Sequence, residues 1–305
     1  MSTARHFSIV VPTRGRSTQL RACLDAIAQL NYPPDRFEVI VVADGVPAPP
    51  ELEAAASERL DLKLLTQPHA GPAAARNTGA AQARGELLAF TDDDCAPSSD
   101  WLTRIERRFA AGSAQVVGGR TVNAVTANPY STVSQLVVAT LYGYYNSDPE
   151  TARFLTTSNL ALPARRFEAL GGFDVSFPLA AGEDRDFSDR CLEAGFTMTY
   201  APEVVVHHFH ELSFASFWRQ HFNYGRGASF FHRARARRGR GRVGVAPRFY
   251  AQLLRSALSG APGSRRFVLA GLAVVTQMAY VAGFAWEVAG RRALGRLGTR
   301  SHSVR

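Results

Sequence analysis

Leu87-Leu88-Ala89-Phe90-Thr91-Asp92-Asp93-Asp94-Cys95 is the stretch that decides the fold, because an apolar run of strand length stops there at three successive carboxylates. Residues 87–90 are uniformly apolar, which is typical of a strand buried in a parallel sheet. Ligands of open α/β sheets bind at the carboxyl ends of the strands. Carboxylates at that end attract hard cations such as Mg²⁺ or Mn²⁺, which usually hold substrate phosphates. The alternative is an acidic turn whose residues 97–100 cap the next helix.

The composition is that of a globular protein with enough chain for one large domain and an appendage, or for two domains. The chain has 305 residues, of which 46% are hydrophobic, and its mean hydropathy is −0.11. Its three cysteines, Cys23, Cys95 and Cys191, have neither metal-site nor disulfide spacing. The first six residues lack the apolar segment of a secretory signal, so the sequence predicts a reducing, cytoplasmic location.

The charge is divided unevenly along the chain. The formal net charge is +9, yet residues 233–305 contain fifteen arginines and a single acidic residue, Glu287, so the first 232 residues are mildly acidic. Six of those arginines fall between 233 and 242. A basic tail of this kind favours an anionic partner, either a membrane surface or nucleic acid. No sequence motif of a nucleic-acid reader is present, so no specific nucleic acid is expected as a partner.

Strand and helix patterns alternate through the first 91 residues. Apolar strands are predicted at 7–11, 37–42, 62–66 and 86–91, with helices between them at 17–30, 51–60 and 73–83. This order predicts an α/β fold with a parallel sheet, right-handed crossovers and helices on both faces. Polar residues follow three of the strands and should converge at one edge of the sheet: Thr13 and Arg14, Asp44, and Asp92 to Asp94. The absence of Gly-x-Gly-x-x-Gly after the first strand counts against a dinucleotide-binding dehydrogenase, and no phosphate-binding P-loop is present.

The second part of the chain mixes helices and strands. Helices are expected at 99–111, 130–145, 163–170 and 183–194, and strands at 115–125, 154–162, 197–200 and 202–206. A longer helix is expected at 212–232. Three histidines, His207, His208 and His210, follow the last strand, and strand alternation would place His208 and His210 on the same side.

Eight short motifs occur in order between residues 7 and 210. They are Val10-Val11-Pro12-Thr13-Arg14, Val41-Val42-Ala43-Asp44-Gly45, Gly71-Pro72-Ala73-Ala74-Ala75-Arg76-Asn77-Thr78-Gly79, Phe90-Thr91-Asp92-Asp93-Asp94, Ser158-Asn159-Leu160-Ala161, Gly171-Gly172-Phe173-Asp174, Gly182-Glu183-Asp184-Arg185-Asp186 and the histidine after Pro202. Together they resemble the motifs of inverting nucleotide-sugar glycosyltransferases of glycosyltransferase family 2, which have the GT-A fold. Ala43 and Val46 replace the outer residues of the family's usual Asp-Asp-Gly-Ser, so this motif leaves the donor's base unassigned.

The resemblance implies a Rossmann-like, mostly parallel sheet flanked by helices. The catalytic domain would cover residues 1–210, with a nucleotide-sugar half at about 1–100 and an acceptor half at about 101–210. Within the Gly71–Gly79 motif, Asn77 and Gly79 are expected to help pack a helix under the sheet. A C-terminal helical, basic extension would cover 211–305.

The resemblance also implies a donor site of metal and nucleotide contacts. The nucleoside diphosphate of the donor sugar would be the leaving group. Mn²⁺ or Mg²⁺ would offset the negative charge that develops on it. Asp92 and Asp94 match the family's Asp-x-Asp, so Asp94 would reach the metal. Asp92 or Asp93 would contact the ribose and the water molecules bound to the metal. Further contacts are implied for Pro12, Thr13 and Arg14 with the nucleotide, Asp44 with the base, Arg76 with the diphosphate or base, and His208 with the metal or diphosphate. The alternatives are strand termination at Pro12, an Asp-Gly turn at Asp44, a surface arginine at Arg76 and a non-catalytic cluster of histidines.

A catalytic base is implied at the start of the helix that begins at Glu183. A single displacement that inverts the anomeric carbon needs one base for the acceptor hydroxyl, and the resemblance assigns Asp184, with Glu183 as second choice. Asp186 and Asp189 would then form the solvated face of the same helix. The alternative is a capping cluster, since carboxylates are favourable at a helix start. The acceptor side is expected to include Ser158 and Asn159.

The C-terminal region, 211–305, is predicted to associate with a membrane. Aromatic residues recur among basic ones through 212–232, which suits a helix at a membrane interface. Residues 267–286 form an uncharged run of about 20 residues, the length that spans a bilayer, although a re-entrant, paired or surface-lying helix fits as well. We therefore expect a cytoplasmic protein at the inner face of the cell membrane, with a glycan or lipid-linked acceptor.

Three functions are compatible with these observations. The first is a metal-dependent inverting glycosyltransferase in glycan, polysaccharide or glycolipid synthesis. The second is a nucleotidyltransferase on a related α/β sheet, which also uses carboxylate-bound metal. The third is a non-catalytic binder of anionic membranes, which leaves the convergent aspartates unexplained. Gly172-Phe173-Asp174 and Glu183-Asp184 favour the first.

Overall fold

A single mixed sheet forms the body of the protein. The computed structural model describes residues 5–47, 59–112, 114–244 and 247–300, with side chains up to residue 290. Within these residues eight strands lie in the order β3-β2-β1-β4-β7-β6-β8-β5. The strands are β1 Phe7–Thr13, β2 Phe37–Asp44, β3 Leu62–Gln67, β4 Leu87–Phe90, β5 Cys95–Pro97, β6 Val116–Asn123, β7 Leu160–Pro163 and β8 Met198–His208.

The first four strands pair in parallel, as the alternating sequence pattern predicts. Every residue of β1, β2 and β4 is buried. Ile9 and Val11 belong to one hydrophobic cluster and Val10 to another, so the sheet is covered on both faces. Their carboxyl ends therefore meet at one edge, where Thr13 of β1 lies beside Ala43 of β2.

Helices cover the sheet and build the C-terminal region. The α-helices of the described residues are α1 Ser17–Ile27, α2 Pro72–Ala81, α3 Trp101–Ala110, α4 Pro129–Tyr145, α5 Ala164–Ala169, α6 Glu183–Glu193, α7 Phe214–Arg237, α8 Pro247–Ser259 and α9 Arg265–Arg300. The helix predicted at 51–60 falls almost wholly outside the described residues. Helix α7 continues past its predicted end at 232, and the chain leaves the helix at Gly239, whose φ of 72° suits a helix terminus.

Two strand predictions were wrong in extent. The strand predicted at 154–162 begins only at Leu160, because residues 157–159 form a single 3₁₀ turn. The pieces predicted at 197–200 and 202–206 form one continuous strand, β8. The register shifts opposite Gly119 and Arg120, so three residues of β8, 202–204, have no partner there and the strand continues past Pro202.

The C-terminal helices pack on the body of the protein. Residues of α4, α7, α8 and α9 share one buried hydrophobic cluster, which includes Val133, Phe217, Phe249, Leu253 and Leu269. Helices α7 and α9 cross in backbone contact, since a Cβ added at Gly225 would lie 1.9 Å from the Tyr280 carbonyl oxygen. The division of the chain at residue 210 stays a prediction, and the two regions it separates are joined by this cluster.

Ion pairs join α6 to α7, and they correct the prediction for Asp186 and Asp189. These two aspartates do not form a solvated face, because both are buried. Asp186 pairs with Arg190 at 2.8 Å and with Arg238 at 2.8 Å. Asp189 pairs with Arg238 at 2.9 Å and also with Arg235. Part of the basic segment 233–242 therefore neutralises acidic residues of the same chain.

Replacing Asp186 by alanine is expected to lower the free energy of unfolding by about 3–5 kcal/mol, because Arg190 and Arg238 would lose a buried counter-charge. Urea denaturation of the full chain measures this change. Asp35→Ala is the matched control: Asp35 is 81% exposed and its pair with Arg36 spans 3.9 Å, so its loss should cost less than about 1 kcal/mol. Equal small effects for both variants would contradict a stabilising role of Asp186.

Candidate active site

The acidic triplet lies in the loop between β4 and β5, and its carboxylates point to different partners. Asp93 is completely buried and accepts a hydrogen bond of 2.6 Å from Oγ1 of Thr13. Asp94, which is 7% exposed, lies 3.3 Å from Nε2 of His208 through its Oδ1. Asp92 is the most accessible of the three. The separate partners explain how three adjacent carboxylates coexist at one strand end.

Arg16 is a residue of this site that sequence reasoning missed. Its guanidinium pairs with Asp93 and lies 2.6 Å from Asp94. Arg14, which the resemblance pointed to, is exposed, and no bond of Arg14 to the triplet is present. Pro12 is buried within β1. The only sequence signal for Arg16 is that it lies two residues beyond Arg14 in the same loop.

Strand pairing brings His208 to the triplet. Cys95 of β5 lies opposite His208 of β8, and Nε2 of the histidine lies 3.3 Å from Oδ1 of Asp94, the residue just before Cys95. His210 stacks on His208 with ring centroids 4.8 Å apart, as the predicted alternation requires. His207 is exposed and lies 3.5 Å from Ser98. Of the three histidines, His208 makes the closest contact with the acidic loop.

Asp94 and His208 offer a donor set that fits a divalent metal. Ligand atoms of Asp94, Cys95 and His208 all lie within 4.8 Å of one another. Burial alone would raise the pKa of Asp94, but the hydrogen bond and charge of His208 and the charge of Arg16 hold it well below its usual range. Burial raises the pKa of the Cys95 thiol well above its usual value, and Mg²⁺ and Mn²⁺ prefer oxygen and imidazole ligands to a thiolate. One carboxylate and one imidazole therefore remain as ligands from the chain.

Arg76 connects the triplet to the second acidic motif. It donates a hydrogen bond of 2.7 Å to Asp92 and one of 3.4 Å to Glu183. Arg76 is only 4% exposed, which excludes the alternative of a surface arginine. Its neighbour Asn77 holds α2 in place by exchanging two hydrogen bonds of 2.9 Å with the backbone of Phe173. This contact confirms the packing role expected for Asn77, and it involves Phe173 of the Gly172-Phe173-Asp174 motif.

Gly79 also has the packing role that the sequence predicts. A Cβ added at Gly79 would lie 2.5 Å from Cγ1 of Val10. Real Cβ atoms do not approach that closely, so only glycine lets α2 pack directly on β1. This close approach sets the position of α2 and of Arg76 over the edge of the sheet.

Glu183 and Asp184 begin α6 and differ in their surroundings. Glu183 is buried and pairs with Arg76, and its second carboxylate oxygen has no hydrogen-bond partner in the described part of the chain. Burial and the charge of Asp184 raise the pKa of Glu183, although Arg76 opposes them. Asp184 is half-buried and accepts a hydrogen bond of 2.7 Å from the Arg185 amide. Burial also raises the pKa of Asp184, against the opposing effects of that amide and of Arg76.

Helix α7 packs beside Glu183 and Asp184. This position of α7 was not predicted from the sequence. A Cβ added at Gly227 would lie 2.3 Å from the carbonyl oxygen of Ala181, so α7 packs directly on the turn that begins α6. Tyr224 lies one turn earlier on the same face of α7. Burial raises the pKa of Tyr224 to about 12, and the charges of Asp184 and Glu183 add to the effect. The sequence signal is the small residue at 227 within Tyr-Gly-Arg-Gly, which permits close helix packing.

Asp44 lies at the end of β2, and four groups of residues 67–71 donate hydrogen bonds to its carboxylate. It accepts hydrogen bonds from Gln67 at 2.9 Å, from His69 at 2.7 Å and from the amides of Ala70 and Gly71 at 2.8 and 3.0 Å. These donors outweigh burial and lower the pKa of Asp44. Asp44 therefore holds the turn that leads into α2, which supports the Asp-Gly-turn alternative; a contact with a base stays a prediction.

The two residues expected on the acceptor side are placed differently. Asn159 is 1% exposed; it accepts a hydrogen bond from Trp101 and donates to the carbonyls of Arg120 and Val204. Asn159 thus bonds with the protein itself in this structure, and its place on the acceptor side stays a prediction. Ser158 is half-buried beside Thr156, and its role stays a prediction.

The mostly parallel sheet flanked by helices is a fold of the GT-A type. A solved mannosyltransferase from Pyrobaculum calidifontis, in complex with GDP-Man and Mn²⁺, has the same fold with a TM-score of 0.64 and 20% identity, over 94% of this chain and 88% of that one. The sequence matches the family described as Glycosyl transferase family 2 over residues 8–168, more than half of its length. The chain belongs to glycosyl transferase family 2.

Several curated relatives are glycosyltransferases by name. A pre-mycofactocin glycosyltransferase of Mycobacterium tuberculosis is 30% identical over 211 residues, which are 68% of this chain and 43% of the relative. Glycosyltransferase AglE of Haloferax volcanii is 27% identical over 235 residues, 74% of each chain. The present chain thus spans less than half the length of the mycobacterial relative.

Proposed function

We propose that this protein is a metal-dependent, inverting glycosyltransferase that moves a sugar from a nucleoside diphosphate sugar to a hydroxyl acceptor in glycan, polysaccharide or glycolipid synthesis. The observation that carries the proposal is the bridge made by Arg76. One guanidinium lies 2.7 Å from Asp92 and 3.4 Å from Glu183, so the acidic strand end and the acidic start of α6 belong to one site. Family membership and the names of the relatives support sugar transfer.

The donor's diphosphate would lie at the acidic strand end. Asp94 and His208 would hold Mn²⁺ or Mg²⁺ there, and the ion when bound supplies a positive charge against the leaving diphosphate. An imidazole beside a carboxylate favours Mn²⁺ over Mg²⁺, since Mg²⁺ prefers oxygen ligands. Arg76 can offer its charge to the phosphate oxygens, and its Nε has no hydrogen-bond partner among the residues that the structure describes.

Asp184 would act as the base. The acceptor oxygen attacks the anomeric carbon, its proton passes to the Asp184 carboxylate, and the bond from that carbon to the diphosphate oxygen breaks with its electron pair. Glu183 is less suited, because it is buried and paired with Arg76. One displacement of this kind inverts the anomeric carbon.

A donor screen tests the proposal. Thermal unfolding of the full chain is followed with Mn²⁺ and UDP-, GDP- or dTDP-sugars, since a bound donor stabilises the folded state by about 2.7 kcal/mol at a hundredfold excess over Kd. The donor that raises the unfolding temperature is then incubated with glycan and lipid-linked acceptors. Release of nucleoside diphosphate supports glycosyl transfer, whereas transfer of the nucleoside monophosphate with release of the sugar 1-phosphate would indicate the alternative, nucleotidyl transfer. No stabilisation by any donor would contradict the proposal.

We propose that the protein lies at the inner surface of the cell membrane, and the outward face of α9 supports the membrane contact. Residues 265–290 are long and apolar enough to cross a membrane, and 28% of their most apolar stretch is buried. Phe267, Val274, Met278 and Val281 recur on one face and are 52–63% exposed, whereas Leu269, Ala273 and Ala279 face the protein. Because one face is held by α7, we propose that α9 lies along the membrane instead of crossing it.

Replacing Val274, Met278 and Val281 by serine, glutamine and serine in one full-length variant is expected to reduce membrane partition about 10-fold or more, because three apolar side chains no longer enter the lipid. Flotation with phosphatidylcholine–phosphatidylglycerol vesicles measures it. Val175→Ser is the matched control, since Val175 is 58% exposed and lies outside the C-terminal helices. Undiminished flotation of the triple variant would contradict the arrangement.

A further inference from the structure

Asp44 has little capacity left to contact a ligand. An ionised carboxylate has about four acceptor positions on its two oxygens. Asp44 uses them for Gln67, for the ring of His69 and for two backbone amides, at 2.7–3.0 Å. It is also only 4% exposed. A donor base that reached this end of β2 would therefore meet another side chain first.

His69 is that side chain. It is 53% exposed and lines a cleft of ≈ 730 Å³ between the ends of β2 and β3, together with Gly45, Val46, Thr66 and Gln67. This volume lies within the usual range of small-molecule sites, about 300–1,000 Å³.

The turn after β2 sets the position of the His69 ring. Gly45 has a φ of 77°, and a Cβ at this position would lie 2.6 Å from Cβ of His69. Glycine is therefore required for the turn to pack against the histidine. Asp44 then fixes the ring from the other side through the 2.7 Å contact with Nδ1.

The contact with Asp44 also determines which hydrogen bond the ring can offer. Since the carboxylate only accepts, Nδ1 must carry the proton, and Nε2 of the neutral ring is then an acceptor. An acceptor at the edge of the cleft suits a ring N–H of a base. Uracil, thymine and guanine carry such an N–H on their pairing edge, whereas cytosine and adenine carry a bare ring nitrogen there.

We propose that His69, positioned by Asp44, contacts the base of the donor nucleotide and selects bases with a ring N–H: uracil, thymine or guanine over cytosine or adenine. The inference rests on the proposed function, because it concerns the donor of that reaction. It assigns the choice of base to a residue outside the Val41–Gly45 motif, in which Ala43 and Val46 depart from the family pattern.

Two matched pairs of nucleotides test the proposal. UDP and CDP differ only on the pairing edge of the base, and GDP and ADP differ on the corresponding edge of the purine. Titration calorimetry of the full chain with Mn²⁺ gives Kd for all four. In the wild type, one pair at least is expected to show about 10-fold tighter binding of the member with the ring N–H, since a bare nitrogen facing Nε2 would leave both acceptors unpaired.

His69→Ala should reduce that ratio to below about 2-fold. His69→Gln, whose carbonyl oxygen can accept the same hydrogen bond, should restore part of it. His207→Ala is the matched control, because His207 is also exposed but contacts Ser98 at the far side of the sheet. Thermal unfolding confirms that each variant is folded.

Three outcomes have distinct meanings. A lost ratio in His69→Ala and an intact one in His207→Ala support the proposal. An unchanged ratio in a folded His69→Ala, or tight binding without discrimination in the wild type, overturns it while the proposed function stands. Failure of the wild type to bind any of the four nucleotides overturns the proposed function, and the role of His69 with it.

Discussion

Asp184→Asn is expected to lower turnover by about 10²–10⁴-fold, the range in which a positioned base contributes to catalysis. Asparagine keeps the shape and the hydrogen bond to the Arg185 amide, but it cannot take the acceptor's proton. The affinity for the donor should stay within about 2-fold, because that proton transfer does not occur in the donor complex. Steady-state kinetics and donor titration separate the two effects.

The pH profile gives a second measurement for the same residue. Only the deprotonated carboxylate is a base, so turnover should rise with pH through the apparent pKa of the Glu183–Asp184 pair. Burial raises the pKa of Asp184 above its usual value, which places this rise at a higher pH than for an exposed aspartate. The residual activity of Asp184→Asn should lack this rise of turnover with pH, the acidic limb of the profile. Full activity of that variant, or an unchanged acidic limb, would remove Asp184 as the base.

Asp94→Ala is expected to lower turnover roughly 10³-fold, the equivalent of about 4 kcal/mol of charge stabilisation by a bound metal. The substitution removes the carboxylate that lies 3.3 Å from His208 and 2.6 Å from Arg16. Unlike Asp184→Asn, it should also weaken donor binding, because the diphosphate and the metal bind together. The two variants therefore separate the donor half of the site from the base.

Manganese binding measured by electron paramagnetic resonance, with and without nucleoside diphosphate, checks the role of Asp94 independently of turnover. Asp94→Ala should bind the ion much more weakly in both conditions, and His208→Ala should have a smaller defect of the same kind. His207→Ala is the control on the same strand, since its side chain is directed towards Ser98. Wild-type affinity for Mn²⁺ in Asp94→Ala would contradict the assignment.

The parallel half of the sheet could be predicted because its signals are local. Mostly apolar runs at β1, β2 and β4 identify buried strands, and the segments between them are long enough for crossover helices. The carboxyl ends of parallel strands must then share an edge. The meeting of Thr13 with the acidic triplet, at 2.6 Å between Thr13 and Asp93, follows from that rule.

Side-chain partners were predicted less well, because they are distant in the sequence. Arg16 instead of Arg14 pairs with the triplet, although both lie in the same loop and only the backbone path after β1 distinguishes them. Asp186 looked solvated from its place among charged residues on α6. Its partner Arg238 lies 52 residues further along the chain, and no local pattern links them.

The sequence by itself determined the α/β fold, the acidic end of β4 and the acidic start of α6, since hydrophobic periodicity and connection rules act over short stretches of chain. Only the tertiary structure decided how the carboxylates are used. In the folded protein Arg76 bridges Asp92 and Glu183. Arg76 and Glu183 are 107 residues apart in the sequence. The physical reason is that a buried charge needs a counter-charge in space, and packing of whole helices and strands decides which residue supplies it.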